Sequence, residues 1–420
     1  MIGANLDIRI LGAGQEVGRS GILMKGSKNI LMDYGIKIEE KTEYPLRADN
    51  VDAFVLSHAH LDHSGFSPAL YHNGVPAAFG TEPTIKMARL LIEDSIELTK
   101  RKHLHPKFKK RELRAFMNSY VPHKYNEPIE FGEYSISLHD AGHIVGSAIT
   151  RIENRGGRRL VYTGDFKLSK QTLHNGADVV ESDILITEST YAVKEHPDRE
   201  NLVKLFADNV KEIVDDGGVA LIPVFAVGRS QEVLAILENN KLTNNTYLDG
   251  MAREATQIAM QYPNFISNID ILKRAMGRVA TVAKERDRED ALQGGSIIVT
   301  TAGMLSGGPA LNYIKKLNDR SMIFLTGYQA EKTNGRKLLN NEPIIIDSEK
   351  FFVRTPFAFY DLSAHAGKSD LQDYVKRSSP ETVICVHGEA EGTLEFKDWL
   401  EIEGFEAYAP KIGDNVNVKF

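Results

Sequence analysis

Cysteine is almost missing: the 420-residue chain has one, Cys385, inside the apolar run Val383-Ile384-Cys385-Val386. A lone cysteine excludes a disulfide framework and a thiolate zinc site, and its apolar neighbours point to a buried thiol in a reducing compartment. Also lacking is any stretch near the ~20 consecutive apolar residues of a membrane span. The start, Met1-Ile2-Gly3-Ala4-Asn5, has no basic residue of the kind that opens a secretory signal. The expectation is a soluble, cytoplasmic protein with no membrane partner. Internal repeats and low-complexity segments are absent too, and the length predicts about two or three domains with full-sized cores. Strong charge is absent overall: a net −6 argues weakly against sequence-blind adsorption to nucleic acid. One run departs from this, since residues 100–114 hold eight Lys/Arg against one acid, Glu112. It reads first as a solvated basic surface and second as a contact for a phosphate backbone.

What the chain does have is His58-Ala59-His60-Leu61-Asp62-His63, three imidazoles and a carboxylate in six positions. The apolar run Val51-Asp52-Ala53-Phe54-Val55-Leu56 before it reads as a buried strand, so the cluster occupies the loop at a strand's C-terminal end, where α/β sheets build sites. Imidazole and carboxylate together are the usual ligands of zinc and related metals. Further candidates follow apolar runs: Asp33 after Ile30-Leu31-Met32, His143 in Asp140-Ala141-Gly142-His143, Asp165 in Thr163-Gly164-Asp165-Phe166, and His387 in Val386-His387-Gly388-Glu389. Small residues beside them let backbone come close, as converging ligands require.

The first ~190 residues read as short strands at 8–11, 21–24, 30–32, 51–56, 136–139, 149–153, 160–162 and 184–187, with a helix at 84–100. From about Arg199 helices alternate with strands in an α/β unit that carries few candidate ligands. Strand-and-ligand texture returns at 351–359. The resulting partition is 1–190, 191–350 and 351–420: a metal-binding domain interrupted by an α/β insertion. The closing strands, 407–408 and 416–418, are read as completing the metal domain's sheet or as a dimer contact.

In this order the motifs resemble the metallo-β-lactamase superfamily, with Asp33 as its first, His58-x-His60-x-Asp62-His63 as its second, His143 as its third and Asp165 as its fourth. The insertion, Glu188 in Thr187-Glu188-Ser189-Thr190, His365 in Ser363-Ala364-His365-Ala366, and His387 resemble the β-CASP branch of nucleic-acid-processing nucleases. Within it the chain looks most like archaeal homologues of the cleavage and polyadenylation specificity factor nuclease, with ribonuclease J next. The resemblance implies an αββα sandwich with an inserted β-CASP α/β domain. It implies two Zn2+, one on His58, His60 and His143, the other on Asp62, His63 and His387, bridged by Asp165 and supported by Asp33. Asp62, Glu188 and His365 are then the catalytic groups, His365 giving a proton to the departing ribose oxygen. It further implies a substrate-phosphate contact at Gly303, Ser306 and Gly307 of Thr301-Ala302-Gly303-Met304-Leu305-Ser306-Gly307-Gly308, opening a helix at Pro309, and a weaker one at Arg229.

The implied function is hydrolysis of single-stranded RNA, by endonuclease cutting, 5′-to-3′ exonuclease digestion or both, in RNA processing or decay. A homodimer and processing or decay partners follow from the same resemblance. Two other classes are a small-molecule ester or thioester hydrolase of the superfamily and a non-catalytic RNA-binding subunit. The insertion speaks against the first and the intact ligand positions against the second. Gly12-Ala13-Gly14-Gln15-Glu16-Val17-Gly18 has the wrong spacing for a dinucleotide loop and precedes a strand. The other histidines, His72, His103, His105, His123, His139, His174 and His196, read as surface or core residues.

Overall fold

The computed structural model describes residues 5–38, 41–72, 74, 76–101 and 103–420. Residues 1–4 of the start read above for a leader, and Lys102 of the basic run, lie outside them. Two compact units form: residues 1–170, 176–195 and 365–420 make the first, and residues 171–175 and 196–364 the second.

The first unit contains two seven-stranded sheets. One runs Asn415–Lys419, Asn5–Gly12, Gly21–Lys25, Ile30–Met32, Ala53–Val55, Ala77–Gly80, Tyr120–Pro122; the other runs Glu406–Tyr408, Thr382–Val386, Ile184–Glu188, Arg159–Tyr162, Ala148–Asn154, Tyr134–Asp140, Ile129–Phe131. Alternation along each strand decides what each face meets. Leu160, Tyr162, Ile184, Ile186 and Ile384 share one core with Ile8, Ile10, Ile22 and Met24 of the facing sheet. Their neighbours Val161, Leu185, Val383 and Cys385 point the other way, into a core with Leu371 and Tyr374 of the Lys368–Ser378 helix and Phe396 and Leu400 of the Ala390–Ile402 helix. Each such side chain contributes roughly 1.5–3 kcal/mol on burial. Helices Glu82–Arg101 and Lys110–Ser119 bring buried Met87, Ala88 and Ile92, and Leu113 and Phe116, with the Phe116 ring 5.8 Å from Phe54 of the first sheet. The layers are therefore αββα, as expected. Both closing strands pair within the chain, Asn415–Lys419 with Asn5–Gly12 and Glu406–Tyr408 with Thr382–Val386, completing the two sheets.

The second unit is a six-stranded parallel sheet, ordered Ala280–Thr281, Thr246–Leu248, Ser296–Thr300, Val219–Pro223, Met322–Leu325, Phe357–Phe359, with helices between its strands. The second boundary differs from the sequence reading. Phe357–Phe359 pairs with Met322–Leu325, which carries the chain of the second unit to Ala364 rather than to residue 350. A three-residue run such as Phe357-Ala358-Phe359 states that it is a strand and not which sheet it joins.

Candidate metal centre

Strand direction gathers the candidates. In the second sheet of the first unit, Arg159–Tyr162, Ile184–Glu188 and Thr382–Val386 are mutually parallel, and two antiparallel steps make Tyr134–Asp140 parallel to them as well. Asp165, Glu188, His387 and His143 thus sit at or just past C-terminal ends on one edge. Ile30–Met32 and Ala53–Val55 are parallel in the facing sheet, so Asp33 and His58 share its corresponding edge. The loop after His58 tightens into a one-turn helix, Leu61–Ser64, that carries Asp62 and His63. Its approach depends on Gly35, where a Cβ would lie 1.8 Å from the Asp62 carbonyl oxygen.

The donor atoms fall into three groups that share Asp165, each with its ligand atoms within 4.8 Å of one another: His58, His60, His143 and Asp165; Asp62, His63, Asp165 and His387; and Asp165, Glu188 and His365. His58 Nε2 and His143 Nε2 each lie 3.2 Å from His60 Nδ1. A tetrahedral zinc with Zn–N of about 2.0–2.1 Å has ligand edges of about 3.3–3.4 Å, so this spacing fits one cation. In the second group His63 Nε2 and His387 Nδ1 are each 3.2 Å from Asp165 Oδ1, and His387 Nε2 is 3.5 Å from Asp62 Oδ2. Asp165 Oδ1 and His387 Nε2 are buried without a hydrogen-bond partner, an expense that a cation would remove. Donor set, spacing and orphaned atoms all fit metal.

Asp33 fixes the ligands from behind. It is fully buried and accepts from Ser57 N–H at 2.8 Å, Ser57 Oγ at 2.6 Å, Tyr162 Oη at 2.8 Å and His63 Nδ1 at 2.7 Å. By accepting the hydrogen bond from His63 Nδ1–H, Asp33 keeps that proton on Nδ1 and presents Nε2 toward Asp165, the tautomer that a metal requires. Electrostatics follow from burial and neighbours. Burial, with the His63 imidazole beside it, holds His58 well below the usual histidine range. His63 is raised, because Asp165 and Asp33 outweigh the burial that opposes its charge. Asp165 is held well below the carboxylate range: burial works against its charge, but His387 and His63 prevail.

Beside this cluster His365 Nδ1 meets Glu188 Oε2 at 2.9 Å, and His365 Nε2 lies 3.9 Å from Asp165 Oδ2. Glu188 is buried and held from the other side by Phe166 N–H at 2.8 Å. Burial resists protonation of His365, yet Glu188 and then Asp165 push it up to about 9. The Lys368–Ser378 helix has Gly367 as its N-cap, so His365 is no capping residue.

Candidates of the second unit differ in character. Gly303 packs tightly, since a Cβ there would lie 2.9 Å from Phe225 N, and Arg229 is 7% exposed. Ser306 is exposed, and a Cβ on Gly307 would meet nothing within 4 Å. The helix from Pro309 is six residues long, so its dipole gives an anion at its start little support. Sequence reasoning missed Ser57, Tyr162 and Lys167. Tyr162 sits in an apolar run, and a buried tyrosine hydroxyl needs a partner, a signal available in advance. Lys167 is buried two residues past Asp165, and its Nζ donates to the His365 carbonyl at 3.0 Å.

Three family profiles match in chain order: a metallo-beta-lactamase superfamily domain at residues 22–192, a Beta-Casp domain at 230–338, and a Zn-dependent metallo-hydrolase RNA specificity domain at 353–410. The chain is 36% identical to the probable RNase MJ4 of Methanocaldococcus jannaschii, over 98% of this chain and 100% of that protein. It is 35% identical to RNase aCSPSF2 of Saccharolobus solfataricus, over 99% of this chain and 86% of that one. It is 32% identical to transcription termination factor FttA of Methanocaldococcus jannaschii, over 98% of this chain and 72% of that protein. The crystal structure of a protein of unknown function from Enterococcus faecalis V583 superposes with a TM-score of 0.62 at 14% identity, covering 99% of this chain and 100% of that one, a likeness of fold alone. Sandwich, insertion, His/Asp cluster and full-length relatives agree: the chain belongs to the metallo-β-lactamase superfamily, in its β-CASP branch.

Proposed function

We propose that this chain is a cytoplasmic zinc-dependent ribonuclease that hydrolyses phosphodiester bonds of single-stranded RNA. The observation that carries the reading is Asp165 shared by two donor groups, with the His365–Glu188 pair alongside. The names of full-length relatives and the match to an RNA specificity domain support RNA as the substrate. His58, His60 and His143 would hold one zinc, Asp62, His63 and His387 the other, and Asp165 both. When bound, the pair lowers the pKa of water and offsets charge growing on the phosphoryl oxygens.

The remaining steps belong to the chain. Asp33 orients His63 and, through Ser57, the start of the His58 loop. Glu188 accepts a hydrogen bond from His365 Nδ1–H, which keeps the ring protonated and turns Nε2 toward the substrate side. From Nε2 the imidazolium gives its proton to the ribose 3′ oxygen as the P–O bond breaks, leaving 5′-phosphate and 3′-hydroxyl ends. Ser306 and Gly307 are the open positions of the second unit at which a substrate phosphate could be met, with Gly303 and Arg229 shaping that unit from within.

The test combines metal analysis with cleavage of an end-labelled single-stranded RNA. About two zinc ions per chain and loss of cleavage in His365→Ala, with zinc retained, are expected. Full activity of that variant, or cleavage that persists after zinc is removed, would overturn the reading.

A further inference from the structure

Beside the metal centre, on the same unit, basic and aromatic side chains meet. Arg101, Lys107 and Arg114 are exposed, Lys110 is 62% exposed, and neither Arg101 nor Arg114 pairs with a carboxylate among the described residues. The nearby acids are spent: Glu97 faces both Lys100 at 2.9 Å and Lys110 at 3.4 Å, and Glu112, 1% exposed, is taken by Arg111 and by the Lys109 N–H. The segment is anchored rather than loose. Leu113 and Phe116 bury one face of the Lys110–Ser119 helix, which leaves Lys110 and Arg114 as an i, i+4 pair on the outer face. Phe108 is 8% exposed, with its ring 6.4 Å from that of Phe66.

Phe66 connects this surface to the metal ligands. It lies three residues beyond His63; its N–H bonds the Tyr34 carbonyl at 2.8 Å, and the Tyr34 N–H bonds the His63 carbonyl at 2.8 Å. Its ring is 4.7 Å from Tyr44, and Lys107 Nζ stands 5.9 Å over the Tyr44 ring. The same turn carries Asp62, 33% exposed against 0% for His63, so the centre is open where this surface begins.

We propose that Arg101, Lys107, Lys110 and Arg114 with Tyr44 and Phe66 form a path for single-stranded RNA leading away from the metal centre: cations on phosphates, a base on the aromatic pair. The proposal rests on the ribonuclease reading for its substrate. Cations beside a partly exposed ring are what sequence-tolerant binding of a single strand uses, and a duplex would keep its bases from the ring. A face that was merely solvated would have no use for a platform continuous with the ligand turn.

Binding is read separately from cleavage, on metal-free protein, by fluorescence anisotropy of a labelled 2′-O-methyl oligouridylate of about 12 nucleotides across a range of salt. Each phosphate contact on a single strand adds about 0.7 to the slope of log affinity against log salt, so the combined Arg101→Gln, Lys107→Gln, Lys110→Gln and Arg114→Gln protein should lose about three from that slope. Tyr44→Ala should weaken binding about tenfold with the slope unchanged, and Tyr44→Phe should restore it. A charge-matched control, Lys28→Gln, Lys124→Gln, Arg155→Gln and Lys419→Gln, should keep the wild-type slope. An arm variant with the wild-type slope, a control that loses as much, or equal competition by polyglutamate or by duplex RNA would overturn the proposal. If the zinc-loaded wild type fails to cut RNA while the arm still governs binding, it is the ribonuclease reading that falls.

Discussion

Asp33→Asn tests whether the metal site is built from behind. The substitution suits the backbone, because Asp33 has φ +57° and asparagine tolerates that left-handed conformation. It does not suit the hydrogen bonds. Asp33 Oδ2 accepts from Ser57 Oγ, His63 Nδ1 and Tyr162 Oη, and Oδ1 accepts from Ser57 N–H. An amide supplies one acceptor atom. If its oxygen serves the three side chains, its NH2 confronts the Ser57 N–H, leaving a buried donor unsatisfied at about 1–3 kcal/mol. The three surviving bonds change from charge-assisted to neutral, each becoming weaker. A loss of about 2–4 kcal/mol in unfolding free energy follows, measured by urea denaturation of the metal-free protein. The larger signal is in zinc: a partner that orients a ligand histidine typically contributes 10–100-fold in affinity, so competition with a chromogenic chelator should show a loss of about that size. Unchanged zinc affinity beside reduced stability would refute the argument that Asp33 acts through His63 and would leave it a fold residue alone.

Two further outcomes need no metal. Cys385 is fully buried and its thiol is pushed up by burial, so the native protein should resist a thiol-reactive dye and label only on unfolding; rapid native labelling would contradict the packing of the outer core. His174, 5% exposed, is brought down to about 4 by burial, with Glu232 opposing the shift. Between pH 4 and 6.5 the unfolded chain therefore binds the extra proton, so stability falls as pH drops through that window, by about 3 kcal/mol relative to a His174→Gln variant. Parallel pH dependence of wild type and variant in urea unfolding would exclude this.

Much of the site could be read from sequence because its chemistry is local. His58, His60, Asp62 and His63 lie in six residues, His387 directly follows an apolar strand, and Asp165 follows one after Thr163-Gly164. The insertion was legible as a change of texture, but its far limit was not, since Phe357–Phe359 chooses its sheet by pairing. The helix Lys110–Ser119 was hidden for a similar reason: its stripe is only Leu113 and Phe116, and the basic residues around it read as a charged surface. Gly303 reads from sequence as a substrate contact, and the close approach of Phe225 gives this glycine a packing role as well. Glycine signals close approach without saying to what.

The separation of Asp165 from His387 poses the harder question of how candidate ligands so far apart in sequence reach one place. Ile184–Glu188 is the last strand before the chain enters the second unit, and Thr382–Val386 is the first to join the same sheet after it returns. The two pair in parallel with Glu188 opposite Val386. This register sets His387 one residue past Glu188 on the shared edge, while Arg159–Tyr162, parallel on the other side, sets Asp165 there as well. A slip by one residue would exchange Ile384 and Val386 with Val383 and Cys385 between the inner and outer cores, setting side chains of the wrong shape and volume into each. The register of two five-residue strands packed between two apolar cores therefore sets the positions of the candidate ligands at this edge.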